Sequence, residues 1–137
     1  MSKENAVCLA GLSIPMLVGS IIYLTCGGTT VIYRWFTEMG VSLKTVDYPQ
    51  FVRNYGCDLL WGYALYSGLR LVEDKTAPVS KSLLIAMVTL IFLEGIQLFD
   101  IVPGVFDPLD ILVETIAVLS AMFITTTIGR NVYEKAG

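Results

Sequence analysis

Eight side chains between Arg53 and Glu114 have the types and spacing of a reaction site: Arg53, Asn54, Asp58, Glu94, Gln97, Asp107, Asp110 and Glu114. Glu94 and Gln97 are related as i, i+3. Asp107, Asp110 and Glu114 are related as i, i+3 and i+7, so on helices each set lies along one face. Carboxyl groups in unlike surroundings can divide acid from base duty, which is the requirement of glycosyl-bond cleavage. Glu94, Asp110 and Glu114 are therefore the candidate catalytic groups. Arg53, Asn54, Asp58, Gln97 and Asp107 are candidates for holding substrate.

Several of these residues also have plainer explanations. Asp107-Pro108-Leu109-Asp110 reads as a helix start, with Asp107 as N-cap, Pro108 at the first position and Asp110 near the positive end of the dipole. Gln97 can bridge helices through its amide. Arg53 can snorkel to an interface, neutralise the acidic cleft or hold an anion such as a phosphate, and Asn54 can cap a helix. Asp100 lies beside a loop where water explains it, and it is left out of the site. Glu94 and Glu114 differ, because aliphatic residues flank both and each sits more than a turn inside its span. A charge at the centre of a membrane helix costs roughly 2.5–3.5 kcal/mol on insertion scales, so ionisable residues within spans are functional candidates by default.

The elements that must position these groups follow from composition. The chain has 137 residues, 55% hydrophobic and 15% charged, which is outside the usual range of soluble domains and fits a single membrane domain over residues 1–137. No charge occurs from Asn5 to Tyr33, Leu59 to Leu69, Ser82 to Leu93 or Thr115 to Gly129. Continuous apolar runs of this kind indicate helices, of which a hydrocarbon core about 30 Å thick needs roughly 20 residues each. The expected architecture is all-α, a bundle of four transmembrane helices over about 6–26, 55–72, 82–99 and 108–128. Gly27-Gly28 offers the first span a stop or bend. The N-terminal run resembles a signal peptide, but Tyr23-Leu24-Thr25-Cys26 is a poor cleavage site, so the run is read as a retained helix.

With four spans, Lys3, Arg70, Lys75, Lys81, Arg130 and Lys135 share one side, and Arg34, Lys44 and Arg53 share the other. This bias places both termini in the cytoplasm, with the loop around Pro103 outside. Spans two, three and four then bring Asp58, Glu94, Gln97, Asp107, Asp110 and Glu114 to one level near the outer leaflet. The polar residues of the inner halves are Ser, Thr and Tyr, such as Ser13, Tyr66, Thr89 and Thr125 to Thr127, which argues for a one-sided site. Tyr23, Tyr33, Trp35, Phe36, Tyr48, Tyr55 and Trp61 read as interface aromatics, and Gly11, Gly19, Gly62 and Gly68 as close-packing positions.

Other chemistries fall away. The chain has no histidine, hence no histidine-ligated zinc and no Ser-His-Asp triad. There is no phosphate loop of the G-x-x-x-x-G-K type. No cofactor or metal is implied, and a metal joining the carboxylates would be a hard cation. Cys8, Cys26 and Cys57 lack metal spacing, although Cys26 and Cys57 could meet near the outer face. A net charge of −3 suggests no nucleic-acid partner; membrane lipids are the expected surroundings.

The order Asn54-Tyr55-Gly56-Cys57-Asp58-Leu59-Leu60-Trp61, then Glu94-Gly95-Ile96-Gln97, then Gly104-Val105-Phe106-Asp107-Pro108-Leu109-Asp110-Ile111 resembles the VanZ-like family of small bacterial membrane proteins. The likeness covers roughly Arg53 to Ala121 and departs from the family pattern at Val105, Glu114 and Ala117. It implies a role in the cell envelope, such as lowered sensitivity to teicoplanin-like drugs. Together, residues and resemblance suggest a site that hydrolyses or transfers a glycosyl bond of a lipid-linked glycan. In this scheme Glu94 is the acid, Asp110 the base or nucleophile, Gln97 an orienting group, and Arg53 a phosphate partner. A non-enzymatic binding protein or small carrier for a cation, lipid or drug is the alternative, and a structural subunit whose acids pair with a partner protein is a third reading.

Overall fold

The structure is a computed structural model that describes residues 3–26, 31–74, 76–99 and 106–133. Gly27-Gly28, Lys75, Asp100, Pro103, Gly104-Val105 and Lys135, and the side chain of Arg130, lie outside what is described. The described residues contain no strand, and their helices are α1 (Lys3–Thr25), α2 (Val31–Glu38), α3 (Gln50–Val72), α4 (Val79–Gln97) and α5 (Pro108–Tyr133). By length and composition, α1, α4 and α5 can each cross a membrane. Helix α3 is as long as α1 but carries Arg53, Asp58 and Arg70.

Two prolines shift the expected boundaries. Helix α3 begins at Gln50 and not at Tyr55, because Pro49 (ψ 145°) holds the preceding backbone extended. Asn54 consequently lies within the second turn and does not cap the helix. Helix α4 likewise begins directly after Pro78 (φ −65°, ψ 138°), at Val79 and not Ser82, and ends at Gln97. Helix α5 starts at Pro108 as expected, and it runs on to Tyr133. Helix α2 is an addition to the expected elements.

The distribution of side chains is inverted relative to a water-soluble bundle. Large aliphatic residues such as Leu17, Ile21, Leu84, Val88, Leu112 and Ile116 point outward, whereas the fully buried positions include Ala64, Ala86, Ala121, Ser67 and Ser82. Small residues let helices approach where lipid offers no hydrophobic drive to associate. Helix α3 packs on α1, α4 and α5, and α5 also touches α1 and α4.

Four-residue spacing makes the interior into layers. Asp58, Gly62, Tyr66 and Arg70 recur down α3, and Glu94, Leu90, Ala86 and Ser82 recur down α4. Tyr66, Ala86, Leu90, Val118 and Ala121 form the buried apolar middle. Carboxyl groups occupy one end of this stack and an ion-paired cluster the other.

In that cluster Arg70, whose side chain is 7% exposed, reaches Glu4 of α1 (Nη2 to Oε1, 3.3 Å) and Glu73 (Nη1 to Oε2, 3.5 Å). Lys81 pairs with Glu73 at 3.4 Å, and the Ser82 hydroxyl donates to the same carboxylate. Arg70 also donates to the Ala77 carbonyl, so one guanidinium joins α1, α3 and the turn into α4. At the other end, the Val46 amide donates to the Thr25 carbonyl (2.9 Å) and the Thr25 and Tyr48 hydroxyls bond at 2.8 Å. These bonds tie the segment before α3 back onto the end of α1.

The hydrogen bond from Ser82 foremost, then Lys81 and Arg70, holds the Glu73 carboxyl below its ordinary value of 4.5 against an opposing desolvation. A carboxylate depressed by folding stabilises fully above its unfolded pKa and ceases to do so as pH falls through its folded value. The melting temperature in detergent should therefore fall as pH drops below about 4.5, and Glu73→Gln should flatten that part of the profile.

A Cβ added at Gly62 would lie 3.0 Å from the Glu114 carbonyl oxygen and 3.2 Å from its Cα, whereas one at Gly19 would meet Leu60 at an ordinary 3.7 Å. Backbone cannot yield as a flexible side chain does, so Gly62→Ala should destabilise by about 1–3 kcal/mol despite better helix propensity. Gly19→Ala should be neutral or stabilising by up to about 1 kcal/mol. Parallel thermal melts of the two variants check this pair.

Candidate carboxylate cleft

Three helices deliver the site. Asp58 sits one turn from Gly62 on α3, Glu94 closes the interior face of α4, and Asp107, Asp110 and Glu114 enter with the first turns of α5. The close passage of α3 over α5 at Gly62 leaves Glu114 only 5% exposed, and Glu94 is 6% exposed. Asp58 and Asp110 are half-buried.

The Asp58, Glu94, Asp110 and Glu114 carboxyls lie within electrostatic reach of one another, and Asp107 reaches Glu94 and Asp110. Glu94 Oε1 accepts a hydrogen bond from Gln97 Nε2 at 3.2 Å. Glu94 Oε2 and Glu114 Oε2 are buried without a hydrogen-bond partner among the described residues. A buried polar atom left unpaired costs roughly 1–3 kcal/mol, so each such atom calls for an explanation in structure or in function.

Asp107 has two parts to play. Its Oδ1 accepts from the Leu109 amide at 2.9 Å, which caps α5, while its Oδ2 accepts from the Tyr55 hydroxyl at 3.5 Å. Asp110 stands in the first turn of α5, where the helix dipole favours an anion.

The cleft thus gathers Asp58, Glu94, Gln97, Asp107, Asp110 and Glu114. Arg53 and Asn54 lie elsewhere, in a pocket of about 310 Å³ against α1 that also takes in Tyr23, Cys26, Cys57 and Asp58. Asp58 is common to both places. Cys26 and Cys57 share that pocket as free thiols. Tyr55 was assigned to the interface aromatics, yet its i, i+3 relation to Asp58 is a signal that places it beside the carboxyls. Among the described residues, no three cysteine or acidic side chains are arranged to hold a metal ion.

No protein-family model, no curated protein and no solved structure matches this chain.

If the unpaired oxygens serve a reaction and not the fold, removing one should stabilise. Glu114→Met keeps the side chain's reach without its unpartnered oxygen, and should raise stability by about 1–3 kcal/mol, read as a higher melting temperature in detergent. A lower melting temperature would make Glu114 a structural strut.

Proposed function

We propose that this chain is a four-span protein of the cell membrane, VanZ-like in character, whose carboxylate cleft opens to the extracytoplasmic side. On this reading it hydrolyses or transfers a glycosyl bond of a lipid-linked glycan. The fourth span would be α3, whose 23 residues extend about 34 Å at the α-helical rise and which packs along α1 and α5. Arg53 and Arg70 sit towards its ends, and Asp58, half-buried, lies between them beside the other carboxyls. The excess of Lys and Arg on the Arg70 side supports cytoplasmic termini.

The observation that carries the proposal is the pair of buried glutamates, Glu94 and Glu114, each with an oxygen that has no hydrogen-bond partner among the described residues and each within electrostatic reach of Asp58 and Asp110. Carboxyls in dry and in more open settings within one cleft are the equipment of glycosyl-bond chemistry. Glu94, buried and hydrogen-bonded to Gln97, takes the part of general acid. Asp110, more open and at a helix N-terminus, takes the part of base or nucleophile. Glu114 would support the charge that develops between them. The teicoplanin link implied by the resemblance is part of this proposal, as an effect on the envelope substrate.

The buried layer of Leu90, Val118, Ala86 and Ala121 separates the cleft from the Arg70 cluster, which speaks against a carrier with a through route.

Purified protein incubated with lipid-linked glycan extracts and followed by mass spectrometry tests the proposal. Release or transfer of sugar is expected, with Glu94→Gln and Asp110→Asn each slowing it by about 10²-fold or more. Retention of lipid without turnover would overturn the enzyme in favour of a binding protein.

A further inference from the structure

A second cavity adjoins the polar pocket on the α1 side. It is an apolar slot of about 350 Å³ between α1 and α3, lined by Met16, Gly19, Tyr23, Leu60 and Trp61 and touched by Phe36 of α2. Tyr23 and Cys57 line both the slot and the pocket holding Arg53, Asn54 and Asp58. Asp58 in turn faces Glu94, Asp110 and Glu114. The apolar slot and the polar pocket thus share two walls, Tyr23 and Cys57, and Asp58 links the pocket to the carboxyl cluster.

We propose that the slot holds the start of the hydrocarbon chain of a single-chain lipid phosphate of the polyprenyl type, with the phosphate on Arg53 and Asn54. This rests on the reading of the cleft as a lipid-linked-glycan site, and it deepens that reading by naming the carrier.

Charge complementarity selects the phosphate. Arg53 is exposed and makes no ion pair among the described residues, and a guanidinium binds phosphate through paired hydrogen bonds. Asp58 on the same pocket repels an anion, and it lies one turn beyond Arg53 and Asn54, towards the cleft. It thus keeps the phosphate at the Arg53 end and leaves the neighbouring space to the sugar. The volume limits what enters, because about 350 Å³ is at the small end of ligand pockets and takes only the isoprene units nearest the phosphate, the remainder of the chain lying in the surrounding lipid, with no room for a second chain. Helix α2 adds Phe36 to the lining, and the bonds from Thr25 to Tyr48 and Val46 anchor the segment that follows α2.

The test is native mass spectrometry of the full chain in detergent, titrated with a polyprenyl phosphate, the matching polyprenol, and a diacyl phosphatidylglycerol. The polyprenyl phosphate should bind at least tenfold more tightly than either of the others. Arg53→Gln should lower its affinity about tenfold, as should filling the slot with Ser20→Trp, an exposed α1 residue on its wall. Met16→Trp supplies a second filling should Ser20→Trp fail to fold. Selective binding that depends on Arg53 and on the slot, with no turnover of any glycan, would sustain the lipid site and sink only the enzyme reading. Equal binding of polyprenol and polyprenyl phosphate, or of the diacyl lipid, would overturn the lipid site, as would turnover unaffected by either filled slot.

Discussion

The passage of α3 against α5 at Gly62 is the contact on which the rest depends. Because no side chain stands between them, the Glu114 backbone can lie directly over the glycine, and this fixes what each helix presents one turn away. Asp58 is brought to the level of Asp110 and Glu114, and α4 closes the third wall with Glu94. Moving the two backbones apart by the width of a methyl group would open a gap in the interior and alter the spacing of all four carboxyls together. Site geometry and helix packing are here one constraint, not two.

Polarity is organised by the same logic. The surface offered to hydrocarbon is aliphatic, the helix contacts are small, and the ionisable groups are drawn to the two ends of the shared interior. The ends are nonetheless unlike. Around Arg70 the charges are matched and their hydrogen bonds largely closed, which is the pattern of a structural tie. In the cleft the charges are of one sign, with two oxygens unpaired. Glu73 Oε1 also lacks a hydrogen bond but is ion-paired with Lys81, whereas the open oxygens of Glu94 and Glu114 have neither a hydrogen bond nor an ion pair among the described residues.

Much of this was legible in the sequence. The helical class, three of the apolar helices, and the convergence of Asp58, Glu94, Gln97, Asp107, Asp110 and Glu114 followed from run length, residue spacing and the order of the spans. Gly62 was singled out as a packing position, and so it is. The start of α3 was misplaced because hydropathy sees only the apolar part of a helix, whereas Pro49 sets its backbone boundary. Helix α2 escaped because eight residues make too short a period to stand out beside long apolar runs. The tie from Arg70 to Glu4 was invisible for another reason: the two are far apart in sequence, and a basic residue near a span end looks the same whether it meets water or a carboxylate. Arg53 was expected near the carboxyls, but the face of α3 it occupies turns towards α1.

The layer of Leu90, Val118, Ala86 and Ala121 has an electrical consequence. In a bilayer, an applied voltage drops mainly across material of low dielectric constant, and moving one elementary charge through it takes about 2.3 kcal/mol per 100 mV. In a chain that spans the membrane as proposed, this septum would put most of that drop between the carboxyls and the Arg70 cluster. Protons exchanged between the carboxyls and the solution on their own side would then cross the smaller part of the field. Their exchange would follow the pH of that side more than the membrane voltage.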